Sequence, residues 1–168
     1  SFKALGQGTV WGIPNVIWIA LALALLGAFV LKYTRYGREV YSIGGNRETA
    51  RLAGIHVGRV QISVYVLSAM AAAMAGILMA GRLNSAQPSS GNGYELTVVA
   101  AVIIGGTSMF GGAGSILGTL FGSLLMMVIE NVLLLLKISA YWQKLVVGII
   151  IIFAVGLDQL RRKRYGLG

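Results

Sequence analysis

The sequence predicts an all-α polytopic membrane protein, and three features carry that expectation. Of its 168 residues, 57% are hydrophobic and 11% are charged, against about 25% charged in a soluble domain. The apolar residues gather in runs long enough to cross ~30 Å of hydrocarbon. The basic residues gather between and after those runs. Lys32, Arg35, Arg38, Arg47, Arg51 and Arg59 lie in one central segment, and Arg161, Arg162, Lys163 and Arg164 lie at the C-terminus. A net charge of +9 distributed in this way is a topology signal. With no soluble fold to carry it, it does not indicate a nucleic-acid partner.

Residues 1–12 read as a polar, glycine-rich lead-in, with Phe2 and Trp11 as interface anchors. They lack the pattern of a secretory signal peptide, and the chain reads as beginning inside a longer structure. Pro14 suits the first turn of a helix, and 13–31 is an uncharged apolar run, the first expected span. The basic loop 32–61 follows. The second span, 62–81, carries Ser68, Ala72, Gly76 and Ala80 at four-residue spacing, a stripe that lets another helix approach. Residues 82–94 form a polar loop. The third apolar segment, 95–110, is shorter and is interrupted at Gly105 and Gly106, with a loop at Gly111, Gly112 and Gly114. The fourth, 115–136, carries Gly114, Gly118 and Gly122 on one stripe. After a short loop with Tyr141 and Trp142 as an aromatic belt, 144–157 is the last span, and Asp158 marks its end.

Parity constrains the short segment. If the basic loop and the basic tail are both cytoplasmic, 95–110 must carry the chain across, as a helix broken at its glycines. The expected count is about five crossings with the N-terminus outside and the C-terminus inside. Irregular backbone at membrane depth is tolerated only beside protein or a water-filled cavity. The glycine break is therefore the expected place for the chain to line a pathway.

The central stretch is expected to present one short helix. Asn46 is a good N-cap, Glu48 places negative charge where the helix dipole favours it, and Gly54 suits the position just past the end. About two turns of helix are not stable alone, so this one must lean on other structure. Two readings stand side by side here: a helix offered to a partner, and a basic loop held by lipid headgroups.

Catalytic motifs are scarce. There is no cysteine, and the single histidine, His56, reads as a surface loop residue. No cysteine-ligated metal, cofactor or disulfide is expected. Gly112, Gly114 and Gly118 imitate a dinucleotide fingerprint, but no βαβ unit surrounds them, and no P-loop occurs. The chain is not expected to be an enzyme. Three acidic residues lie in or beside spans. Glu95 opens its helix, Asp158 is expected to pair with the basic tail, and Glu130 lies about 9 Å from the end of its span. A carboxylate there is costly in lipid. Glu130, with Asn131, either hydrogen-bonds across the bundle or faces a polar pathway.

Four stretches together resemble one family: GIPNVIW (12–18), TRYGREVYSIGGNRETARLAGI (34–55), GYELTVVAAVIIGGTSMFGGAGSILGTLFG (93–122) and YWQKLVVGIIIIFAVGLD (141–158). The chain resembles the C-terminal half of the permease subunit of ribose/xylose/galactose-type ABC sugar importers. The resemblance implies a permease in the bacterial inner membrane that pairs with a second permease subunit, identical or paralogous. It also implies cytoplasmic ATPase subunits that hydrolyse ATP on its behalf, and a periplasmic sugar-binding protein. The family's coupling segment carries over onto Gly44, Gly45, Asn46, Arg47, Glu48, Ala50, Arg51, Leu52, Gly54 and Ile55. Branched-chain amino-acid permeases belong to the same wider group. The run Ile43-Gly44-Gly45-Asn46 favours sugar, whereas Glu130 departs from the more neutral pattern expected there. Asn84, Gln87, Glu95, Thr107, Ser108, Glu130 and Asn131 are the candidate pathway residues. Two readings of another class are an ion-coupled transporter or channel half using Glu130, and a scaffold with no transport role.

Overall fold

A computed structural model describes residues 8–85, 87 and 91–164, apart from the side chains at 157 and 161–164. Phe2, part of the 82–94 loop and the side chains of the basic tail lie outside the described residues. The chain divides into two compact units, Ser1–Asn92 and Gly93–Gly168. Seven helices occur among the described residues. Four of them are long and apolar enough to cross a membrane, and one shorter apolar helix stands beside them.

The first unit opens with a small hairpin. Strands β1 (Thr9–Val10) and β2 (Ile13–Pro14) pair antiparallel, with Val10 opposite Ile13. Trp11 and Gly12 turn the corner with φ of 54° and 77°, the two positive values that a tight two-residue hairpin needs. The sequence suggests an irregular lead-in here. Trp11 is 93% exposed at the tip.

Helix α1 (Asn15–Tyr33) is the first long apolar helix, with Pro14 as its N-cap. It ends at Thr34, which serves two helices at once. The Thr34 hydroxyl donates to the Val30 carbonyl at 2.7 Å and accepts from the Gly37 amide at 3.2 Å. Helix α2 (Arg35–Gly45) starts there. The expected loop 32–61 is thus largely helical, because Tyr36, Val40 and Ile43 fall at i, i+4 and i+7 on one face. That face packs on the short helix α3 (Arg47–Leu52) and on α4 (Val57–Leu83). Gly37 is buried against the Leu31 backbone, where a side chain would collide. Helix α4 begins before the expected span and ends at Asn84, which takes the left-handed conformation at φ 52°. Its Ser68–Ala72–Gly76 face is exposed, and nothing approaches Gly76 within 4 Å.

The second unit is a three-helix arrangement of α5 (Tyr94–Ile104), α6 (Ile116–Leu135) and α7 (Ala140–Arg164). Helix α5 has 11 residues, about 16 Å of rise. It stops at the predicted glycine break. Gly106 is left-handed at φ 86°, and the Gly106 and Thr107 amides donate back to the Ile103 and Val102 carbonyls at 2.9 and 3.1 Å. This is a Schellman ending. Ser115 caps α6 by accepting from the Gly118 amide at 3.0 Å.

Helix α6 runs antiparallel to α5 at very close range. A side-chain carbon on Gly118 would collide with the Gly105 carbonyl, and one on Gly122 with the Ala101 carbonyl. The small-residue stripe at 118 and 122 is where the two backbones meet. The core of the unit is Ala100, Ala101, Met126 and Val147, with Ile104, Ile129, Ile150 and Ile151 around it.

The broken segment also has a definite reach. Gly93 lies beside the Lys144 side chain, 3.5 Å from where a side-chain carbon would stand, and Ser108 bonds to Asp158. Residues 93–108 therefore run alongside 144–158 of α7, a rise of about 21 Å in continuous helix.

Candidate functional site

Helix α3 is the centre of the candidate site. It is only six residues long, so its two ends and its underside must hold it. At the N-terminus Asn46 Oδ1 accepts from the Thr49 amide at 3.1 Å, with Glu48 in the first turn and Arg51 in the last. Both charges suit the helix dipole. At the C-terminus Gly54 takes φ 82°. Its amide donates to the Arg51 carbonyl at 3.0 Å, and the Ile55 amide to the Ala50 carbonyl at 3.1 Å. That reciprocal pair is a complete Schellman motif. Both caps stand where the sequence placed them.

The underside is apolar. Ala50 is 3% exposed and packs with Ile43 of α2 and Val60 of α4, supported by Tyr36, Val40, Ile55 and Val57. The Ser63 hydroxyl donates to the Val60 carbonyl at 2.7 Å. A serine has one hydroxyl proton, so the 2.8 Å contact between Tyr36 Oη and Ser63 Oγ is a bond that Tyr36 donates. This relay ties α2 to α4 beside the helix they support. The result is a short helix fixed at both ends and seated on the junction of two others.

The outer face is charged around one apolar projection. Arg47, Glu48 and Arg51 are exposed, and Leu52 is 86% exposed. Between α3 and the start of α4 lies a crevice of about 790 Å³ lined by Arg47, Glu48, Arg51, Gly54, Ile55 and His56–Arg59. Five of the predicted coupling residues border it. Sequence reasoning missed Val57, Gly58 and Arg59. His56, expected as a surface residue, is exposed and stands at the N-cap position of α4 with no side-chain capping bond. Gly44 and Gly45 belong to the last turn of α2 rather than to α3.

The predicted pathway residues are distributed over both units. Asn84 and Gln87 are exposed in the first, and Asn84 also serves as the left-handed stop of α4. In the second, Glu95 is exposed in the first turn of α5. Glu130 is half-buried and accepts from Thr97 Oγ1 at 2.9 Å. Asn131 does not join it across the bundle, because its side-chain amide donates to the Met127 carbonyl of its own helix at 3.0 Å. Asp158 accepts from Ser108 Oγ at 2.8 Å. Its expected pairing with the basic tail concerns side chains outside the described residues. Ser108 also organises the glycine loop, since its amide donates to the Ala113 carbonyl at 2.9 Å and its carbonyl accepts from Gly111 at 3.2 Å. Thr107 is half-buried and packs under Gly114. The two carboxylates thus stand toward opposite ends of the α5 segment, each held by a hydroxyl. Thr97 is not among the residues expected from sequence, although it is the only polar residue in 96–104. Among the described residues no cluster of His, Asp and Glu could hold a metal ion.

These features define a multi-pass helical membrane protein with a surface helix displayed between two long apolar ones. The family model described as "Branched-chain amino acid transport system / permease component" matches residues 2–155, and the chain belongs to that family. It is 43% identical over 161 residues to the ribose import permease protein RbsC of Escherichia coli (strain K12), covering 96% of this chain and 50% of that protein. It is 45% identical over 160 residues to RbsC of Bacillus subtilis (strain 168), covering 95% and 49%. It is 42% identical over 163 residues to the L-arabinose transport system permease protein AraH of Escherichia coli (strain K12), covering 97% and 50%. The chain spans about half the length of these relatives. No solved structure matches it.

Proposed function

We propose that this chain is the C-terminal part of a single transmembrane permease domain in an ATP-driven importer of a ribose-like monosaccharide. The observation that carries the reading is α3: a six-residue helix capped at both ends, seated on α2 and α4, with Leu52 86% exposed among charged residues. A partner that pushes on such a helix moves the helices beneath it, because Ala50 and the Tyr36–Ser63 relay leave little slack. In this reading the partner is a cytoplasmic ATPase subunit, and ATP hydrolysis there drives alternating access here. A second permease copy or paralogue and a periplasmic sugar-binding protein complete the system. The relatives named for ribose and L-arabinose support a pentose-like cargo over a branched-chain amino acid.

The charge distribution supports a cytoplasmic placement of residues 32–61 and of the C-terminus in the inner membrane. The parallel run of 93–108 beside 144–158 supports a crossing by the broken α5 segment. Asn84, Gln87, Glu95, Thr107, Ser108, Glu130 and Asn131 remain the residues proposed for the pathway. Thr97 joins them as the group that orients Glu130.

The test uses the full-length protein. Wild type is expected to co-purify with its ATPase subunit. Arg51→Glu or Leu52→Asp is expected to abolish that association while leaving membrane insertion intact. Retained association in both variants, or transport driven by an ion gradient without an ATPase, would overturn the reading.

A further inference from the structure

A second groove of about 790 Å³ opens in the first unit and shares Arg59 with the crevice at α3. It is lined by Val30 of α1, Thr34, Tyr36 of α2, and Arg59, Ile62, Ser63, Val66 and Leu67 of α4. The five α4 residues fall at i, i+3, i+4, i+7 and i+8, a single helix face about 12 Å long. Helix α2 packs on both α1 and α4 and contributes Tyr36 to the lining.

The chemistry of the lining is divided. Val30, Ile62, Val66 and Leu67 make an apolar trough. The three hydroxyls are already engaged: Thr34 with Val30 and Gly37, Tyr36 with Ser63, and Ser63 with Val60. None of them asks for a ligand. Arg59 is different. It is exposed, and among the described residues its side chain makes no hydrogen bond or ion pair. An unpaired guanidinium above an apolar trough between two membrane-spanning helices complements one kind of molecule: an anion joined to a hydrocarbon chain.

We infer that this groove holds an anionic phospholipid, with its phosphate on Arg59 and an acyl chain along Val30, Ile62, Val66 and Leu67. Arg59 lines both this groove and the crevice beside α3. A guanidinium that grips the lipid phosphate is withdrawn from any carboxylate offered at the crevice. The inference rests on α1 and α4 spanning the membrane and is independent of the ATPase reading.

The experiment is native mass spectrometry of the full-length permease, purified in mild detergent from membranes containing phosphatidylglycerol and phosphatidylethanolamine. Wild type is expected to retain phosphatidylglycerol preferentially. Arg59→Gln should cut that retention by about fivefold or more, the scale of one lost charge-assisted contact. Arg59→Lys should restore most of it, since an ammonium still pairs with phosphate. Val66→Trp should also cut retention, by filling the trough while leaving the charge in place. Equal retention in wild type, Arg59→Gln and Val66→Trp overturns the inference, as does retention without preference for the anionic lipid. A photo-crosslinking amino acid introduced in place of Val66 reports the occupant directly. Capture of another protein segment instead of lipid also overturns it. Arg51→Glu, which tests ATPase docking, should leave lipid retention unchanged.

Discussion

Thr97 Oγ1 donates to Glu130 Oε1 across 2.9 Å, joining the first half of α5 to the second half of α6. The pair lies across the same interface in which Gly118 and Gly122 let the two backbones touch. A hydroxyl on the short helix satisfies a carboxylate on the long one, where an unsatisfied acidic group would be costly. Thr97→Val keeps the shape and removes the donor. It is expected to destabilise the unit by about 1–3 kcal/mol, the cost of stranding a half-buried acceptor. Thr97→Ser should cost much less. The apparent melting temperature of the purified protein is the measurement.

The glycine contacts make a harsher prediction. At Gly118 and Gly122 a side chain meets main-chain carbonyls of α5, which cannot swing aside. Gly122→Ile is expected to separate α5 from α6 and to prevent stable accumulation in the membrane. Gly76→Ala meets nothing within 4 Å, and it should accumulate normally. Quantitative blotting of membrane fractions compares the two.

At the surface helix the caps are the sensitive points. Asn46→Ala removes the acceptor for the Thr49 amide and is expected to destabilise α3 by about 0.5–2 kcal/mol. Asn46→Asp keeps an acceptor and should be tolerated. Hydrogen exchange at residues 47–52 reads this directly. Faster exchange in the alanine variant, with no change in α4, is the expected result.

Gly54 makes a separate case. Its φ of 82° is one that an alanine adopts at a cost of roughly 1–2 kcal/mol, although open space surrounds it. Gly54→Ala should therefore loosen the C-terminal cap without a steric clash. Gly54→Asn, which tolerates the left-handed region, should lie between wild type and alanine in the same exchange experiment.

Ser108 is expected to act through Asp158 and the glycine loop together. Ser108→Ala removes both the bond to Asp158 and the acceptor for the Phe110 amide. The loop at 108–113 should become more accessible to proteolysis, while α7 retains its helicity.

Much of this architecture was legible in the residues themselves. Long uncharged runs have one low-energy state in lipid, a helix that satisfies its own backbone, so the long helices stand close to where composition places them. Asn46, Gly54 and Gly106 are local signals too, because cap and turn geometry is decided within a few residues of chain. What composition could not supply was partnership between distant residues. Helix α2 looks like loop in the sequence because its charge dominates its average, while its helicity depends on Tyr36, Val40 and Ile43 meeting Ala50 and Val60. The same holds for Glu130. A sequence shows a carboxylate in an apolar run, but its partner Thr97 is 33 positions away. Only the packing of α5 on α6, set by glycines that admit no side chain, brings donor and acceptor within reach.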